Sequence, residues 1–195
     1  MDTDIWLFYA VNHGWKSGFL DAIMPVITST STWRPIYAVA LVTLLVLGVR
    51  EFRQSKSTRY FRWFGALVVS VAVLDPLSHH FLKETIARQR PYLVLGDVYK
   101  LVESGGGSFP SNHAVNNAAA AVVNTVFLPR FARLWWTIAV VVSISRVYVG
   151  VHYPSDVVAG FLIGCCVGYG FARLFTMADR RSNAHQEVSP RHDVR

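Results

Sequence analysis

At 195 residues and 21.8 kDa the chain has room for one domain of ordinary size. Apolar residues make up 52% of it and charged residues only 16%, against about a quarter in a typical soluble domain, which points to a bilayer and excludes disorder for most of the chain. The only cysteines, Cys165 and Cys166, are adjacent, which excludes a disulfide scaffold; the net charge of +7 leaves nucleic acid, anionic lipid and phosphate as candidate partners.

In residues 1–32 the apolar runs are broken by Asn12, His13, Gly14, Lys16, Ser17 and Asp21, a pattern that predicts two short interfacial helices rather than a crossing. No basic stretch precedes a clean apolar core, so a cleaved signal peptide is not expected. Five membrane-length helices follow, over residues 33–49, 61–82, 111–128, 134–151 and 154–175. Asp75 in the second and Arg146 in the fourth must face protein or a water-filled cavity, and Asp75-Pro76 is expected to mark a kink. Gly160, Gly164 and Gly168 recur every four residues along the last helix, as in close helix packing. The predicted fold is therefore all-α, a polytopic transmembrane bundle of about five crossings plus the N-terminal helices. Its expected divisions are residues 1–32, a core over 33–176, and a polar, disordered tail over 177–195.

The connections predict orientation. Residues 50–62 carry five Arg or Lys against one Glu, residues 129–133 are basic, and the tail adds further arginines. Basic connections mark the cytoplasmic side, so loop 83–110 and turn 150–153 face outward. Lys83, Arg88, Arg90 and Lys100 lie in that outward loop against the rule, and call for another reason.

Three clusters converge on that outer face: Lys83 with Arg90-Pro91, Ser111 with His113, and Ser145-Arg146 with His152 and Asp156. Three cations, two histidines, a carboxylate and a hydroxyl suit phosphoryl transfer, whose transition state spreads negative charge over equatorial oxygens. Arg90 and Arg146 offer planar forks and Lys83 a point charge. Pro110 and Pro154 read as first residues of helices, so Ser111 and the amides behind Gly105–Gly107 would offer donors at a helix start. Asp156, four residues after His152, can accept one ring N–H and free the other nitrogen to attack phosphorus, while His113 protonates the leaving oxygen. No His, Cys or carboxylate cluster has metal-ligand spacing, so a metal-free, cofactor-free phosphohistidine route is expected.

The pattern Lys83-x6-Arg90-Pro91, Pro110-Ser111-Asn112-His113, then Ser145-Arg146-x5-His152-x3-Asp156 resembles the three-part signature of the type 2 phosphatidic acid phosphatase superfamily, in its integral-membrane branch. The resemblance implies His152 as nucleophile, Asp156 as its partner, His113 as general acid, and Lys83, Arg90, Ser111 and Arg146 as phosphate ligands. It departs at Asn112, where the family usually has glycine, and lacks the extra N-terminal crossing of six-helix members. What it implies is a lipid phosphatase of a bacterial inner membrane, with its site on the outer face. The substrate read first is undecaprenyl diphosphate; lipid A, phosphatidylglycerophosphate and phosphatidic acid are the other substrates it suggests. The bilayer and a phosphorylated lipid are then the partners, nucleic acid is not, and the oligomeric state is open. Two rival classes remain: a non-catalytic phospholipid-binding or transport protein, and a soluble acid phosphatase or vanadium haloperoxidase.

Overall fold

The computed structural model describes residues 2–188, whose regular structure is helical with no strand among them. In chain order come α1 (Thr3–Asn12), α2 (Gly18–Thr28), α3 (Thr30–Ser55) and α4 (Arg59–Pro76). A π-helical stretch over Leu77–Leu82 leads into α5 (Lys83–Ile86), followed by α6 (Pro91–Val94) and α7 (Asn112–Phe127). A 3-10 turn over Pro129–Phe131 joins α7 to α8 (Ala132–Tyr148), and α9 (Pro154–Val188) completes the bundle. The rest of the polar tail, residues 189–195, lies outside the described residues.

Each of the five predicted stretches is built around a helix, although residues 111 and 128 flank α7 and residues 149–151 already belong to the turn after α8. Four segments, Thr30–Ser55, Arg59–Val94, Pro129–Tyr148 and Pro154–Met177, are long and apolar enough to cross a membrane. Their exposed faces carry large apolar side chains, such as Ile36, Val39, Val42 and Val46 on α3, which suits contact with lipid tails. At 16 residues α7 is shorter; its Ala114, Val115, Ala118, Ala119 and Val123 are fully buried among α4, α8 and α9. In the second segment the regular ladder ends at Pro76, which has no N–H to donate, and the π-helical stretch begins at the next residue.

The α7–α9 contact sets the end of the bundle that carries the chemistry. A Cβ on Gly160 would lie 2.7 Å from the Ser111 carbonyl oxygen, one on Gly168 2.7 Å from Ala119 Cα, and one on Gly164 would press into the Val115 carbonyl oxygen. The glycine repeat thus lets two backbones touch. Gly164→Ala is expected to cost about 1–3 kcal/mol by overpacking; a fall in Tm in detergent, with a parallel fall in activity as Ser111 shifts, checks it.

The N-terminal helices begin at capping residues: Asp2 accepts from Asp4 N at 3.1 Å and Ser17 from Leu20 N at 3.3 Å. With 10 and 11 residues, α1 and α2 are each about 15 Å long, half the hydrocarbon thickness. They pack on α8 and α9 rather than standing apart. Phe8 is fully buried beside Tyr153, and Asn12 Nδ2 donates to Tyr148 O at 2.7 Å and Tyr99 O at 3.0 Å. Tyr9 Oη donates to Gly96 O at 2.6 Å, so α1 also holds the long loop after α6. At the opposite end Arg59 Nη2 donates to Phe127 O at 2.7 Å, joining the basic connection 50–62 to the last residue of α7.

Candidate active site

Lys83 opens α5, which Ala87 closes in the left-handed region at φ 47°, its N–H donating to Lys83 O at 2.9 Å. That reversal sends the chain, extended at Arg90, back along the bundle end, where Pro91 starts α6. Lys83 and Arg90 are both buried. Lys83 Nζ donates to Gly107 O at 3.0 Å, Arg90 Nε to Gly106 O at 3.0 Å, and Arg90 Nη2 to Gly105 O at 2.8 Å. The sequence reading expects amide donors from the glycine run; the structure turns its three carbonyls onto the cations instead. Positive side chains attract carbonyl dipoles, and Gly106 reaches φ 67° at no steric cost.

His152 lies in the turn between α8 and α9. Gly150 makes that turn at φ 81°, so close to the long loop that a Cβ would stand 2.5 Å from Tyr99 O. His152 Nε2 is 3.2 Å from Arg90 Nη1, which also donates to Val151 O at 2.8 Å. A guanidinium has no acceptor, so Nε2 presents its lone pair and the neutral ring carries its proton on Nδ1. That Nδ1 faces Asp156 Oδ2 at 3.6 Å, longer than a formed hydrogen bond. Burial lowers the His152 pKa from the ordinary 6.5; Asp156 opposes the shift, while the charges of Arg146, Arg90 and Lys83 add to it. The ring is therefore neutral at pH 7.

Asp156, in the first turn of α9, is fully buried. Its Oδ2 accepts from Ser108 Oγ at 2.5 Å and Tyr153 N at 2.9 Å, and its Oδ1 accepts from Arg88 Nη1 at 2.7 Å. Its backbone oxygen accepts from Ser111 N at 3.1 Å, tying the start of α7 to that of α9. Pro154 opens α9 as expected, whereas α7 opens at Asn112 with Ser111 as N-cap, so Pro110 stands just outside it. Ser111 makes no side-chain cap bond, and its buried Oγ has no hydrogen-bond partner among the described residues. Arg146 Nε is buried and unpartnered in the same way.

Thr28, at the end of α2, links the remaining two residues. Its Oγ1 accepts from Arg146 Nη1 at 2.6 Å and its carbonyl from His113 Nε2 at 3.0 Å. All seven residues named from the sequence thus belong to one connected end of the bundle. Sequence reasoning left out Thr28, Asp4, Ser108 and a role for Arg88. Arg88 had a signal in its charge on the wrong side of the topology; Thr28 and Asp4 had none, because nothing local marks a residue that meets the site only after folding.

Comparison with known proteins follows the same lines. A family model described as the PAP2 superfamily matches residues 63–180. The chain is 30% identical over 201 residues to the lipid A 4'-phosphatase of Bacteroides thetaiotaomicron, covering 97% of this chain and 82% of that protein. It is 38% identical over 139 residues to the undecaprenyl-diphosphatase of Sulfolobus acidocaldarius, or 70% of this chain and 60% of that protein. Its fold matches the crystal structure of a transmembrane PAP2 type phosphatidylglycerolphosphate phosphatase from Bacillus subtilis, with TM-score 0.65, 26% identity, and coverage of 90% of this chain and 85% of that one. The chain belongs to the PAP2 superfamily, in its integral-membrane lipid phosphatase branch.

Proposed function

We propose that this membrane lipid phosphatase removes a phosphate from a lipid monoester or diphosphate through a phosphohistidine on His152. The observation that carries the reading is the orientation of His152: Nε2 holds a lone pair beside Arg90, and Nδ1 faces the buried carboxylate of Asp156. In the first step Nε2 attacks phosphorus, the bond to the leaving oxygen breaks, and that oxygen takes a proton from His113. In the second, water attacks the phosphohistidine, gives its proton to His113, and inorganic phosphate leaves. Lys83, Arg90 and Arg146 stabilise the equatorial oxygens, and Ser111 Oγ and Arg146 Nε, unpartnered among the described residues, supply free donors.

The site is read as lying at the outer face of a bacterial inner membrane, where the lipid tail stays in the bilayer during reaction. The headgroup read first is undecaprenyl diphosphate, supported by the 38% identity to an undecaprenyl-diphosphatase. Lipid A stands beside it because the relative of that name aligns over 97% of the chain, and so through the N-terminal helices that reach the site. The test is phosphate release by purified protein in mixed micelles from undecaprenyl diphosphate, lipid A, phosphatidylglycerophosphate and phosphatidic acid. Release from one or more is expected; release from none would sink the reading.

Thr28→Val keeps the carbonyl that holds His113 but removes the acceptor for Arg146. A hydrogen bond to a buried charge is worth about 1.5–3 kcal/mol, so kcat/KM is expected to fall about 10- to 100-fold. Thr28→Ser, measured alongside, should recover most of it.

A further inference from the structure

Arg88 differs from the other cations at this end of the bundle. Its guanidinium is divided between two carboxylates: Nη1 meets Asp156 Oδ1 and Nη2 meets Asp4 Oδ2, each at 2.7 Å. Nη1 also donates to Ser155 Oγ at 2.7 Å, and the group lies 3.9 Å from the centre of the Tyr153 ring. Asp4 in turn accepts from Ser155 N at 2.9 Å and Ser155 Oγ at 2.5 Å, at the start of α9 where the helix dipole favours an anion. With its charge answered twice, Arg88 is not equipped to hold a phosphate.

What it does hold is the carboxylate facing His152. Among the hydrogen bonds to Asp156, Arg88 takes Oδ1 alone, while Ser108 Oγ and Tyr153 N take Oδ2. A carboxylate pinned at Oδ1 can present only Oδ2 to the imidazole. On the reading of His152 as nucleophile, we propose that Arg88, tethered by Asp4 of α1, is a positioning residue for the His152–Asp156 pair. The first helix is then a working part of the site. This accounts for a basic residue placed against the topology rule.

The charges around the pair define the expected effect. His152 faces Asp156 on one side and Arg90, Arg146 and Lys83 on the other; Asp156 faces Arg88, Tyr153 and His152, and Arg88 faces Asp4. Removing Arg88 leaves the negative charge of Asp156 acting on the ring undivided, so the imidazolium forms more readily and the acid limb of kcat/KM moves to higher pH.

Arg88→Gln and Asp4→Asn in the full chain, in micelles, test this by two readouts. The first is kcat and KM against pH on whichever lipid of the panel is turned over. The second is the 15N imidazole titration of His152, assigned with His152→Gln, which needs no turnover. Arg88→Gln is expected to lower kcat about 10- to 100-fold with KM little changed, since Arg88 does not touch substrate. It should also raise the His152 midpoint by about one pH unit. Arg88→Lys should recover part of the rate, and Asp4→Asn should move both readouts the same way by less. An unmoved midpoint in Arg88→Gln overturns the proposal, whether the rate falls or holds; if that variant does not fold, an unmoved midpoint in Asp4→Asn does the same. A wild-type protein that releases phosphate from no lipid would remove the phosphatase reading, while the titration would still decide the role of Arg88.

Discussion

His152→Ala is expected to lower phosphate release by at least about 10³-fold on every lipid the wild-type protein hydrolyses, because on the proposed route it removes the atom that would form the covalent intermediate. The geometry makes this loss specific. No other imidazole nitrogen of the site pairs a lone pair with a carboxylate: His113 is turned to Thr28, its Nε2 donating to the carbonyl. Acid quenching during turnover of a substrate carrying 32P in the transferred phosphate should trap label on wild-type protein and none on the variant. Equal labelling of the two would refute the assignment. The pH profile follows from the sign of the shift at His152. Burial and the neighbouring cations lower its pKa, so the neutral ring persists below pH 6.5. The loss of kcat/KM that comes from protonating this ring therefore lies on the acid side of the ordinary histidine range.

Asp156→Asn is expected to cost about 10³–10⁴-fold in kcat with a smaller effect on KM, by analogy with a triad carboxylate changed to its amide. Asp156 accepts from Arg88, Ser108 Oγ and Tyr153 N, and faces the Nδ1–H of His152. Every neighbour is a donor. An amide there must point its own NH₂ at one of them and cannot stabilise the imidazolium character that develops as Nε2 attacks. Because the carboxylate is fully buried and paired, the same variant should also have a lower Tm. The two effects separate by comparing kcat per folded molecule well below that Tm. A wild-type kcat in folded Asp156→Asn would exclude the carboxylate from the chemistry.

Much of this protein was legible before folding was considered, for physical reasons that differ from residue to residue. The five helical stretches were visible because apolar runs of membrane length have few alternatives to a helix in a bilayer. The glycine repeat at positions 160, 164 and 168 was visible as a packing face because a small residue every fourth position lines one side of a helix; the structure supplies its partner, the backbone of α7. Lys83, Arg90, Ser111, His113, Arg146, His152 and Asp156 were visible as a set through residue type and spacing. Less could be read where polar residues interrupt an apolar run. Asn12 reads as a break that keeps a segment at the interface, yet its amide is buried and joins α1 to the long loop and to Tyr148.

Composition, periodicity and motif spacing by themselves determined the class of the protein, the positions of its main helices and which polar groups gather at one end of the bundle. Those properties are local: they depend on the bilayer as solvent, on helix period, and on chemistry carried by residues a few positions apart. Only the tertiary structure decided which atoms meet. It turned the glycine carbonyls to Lys83 and Arg90, gave Nε2 of His152 the lone pair, and brought Thr28 to Arg146 and His113. It also carried Asp4 to Arg88 across 84 positions of chain. Contacts of that range have no signature in sequence spacing, because they exist only once α1 and α2 pack against α8 and α9 and close the end of the bundle.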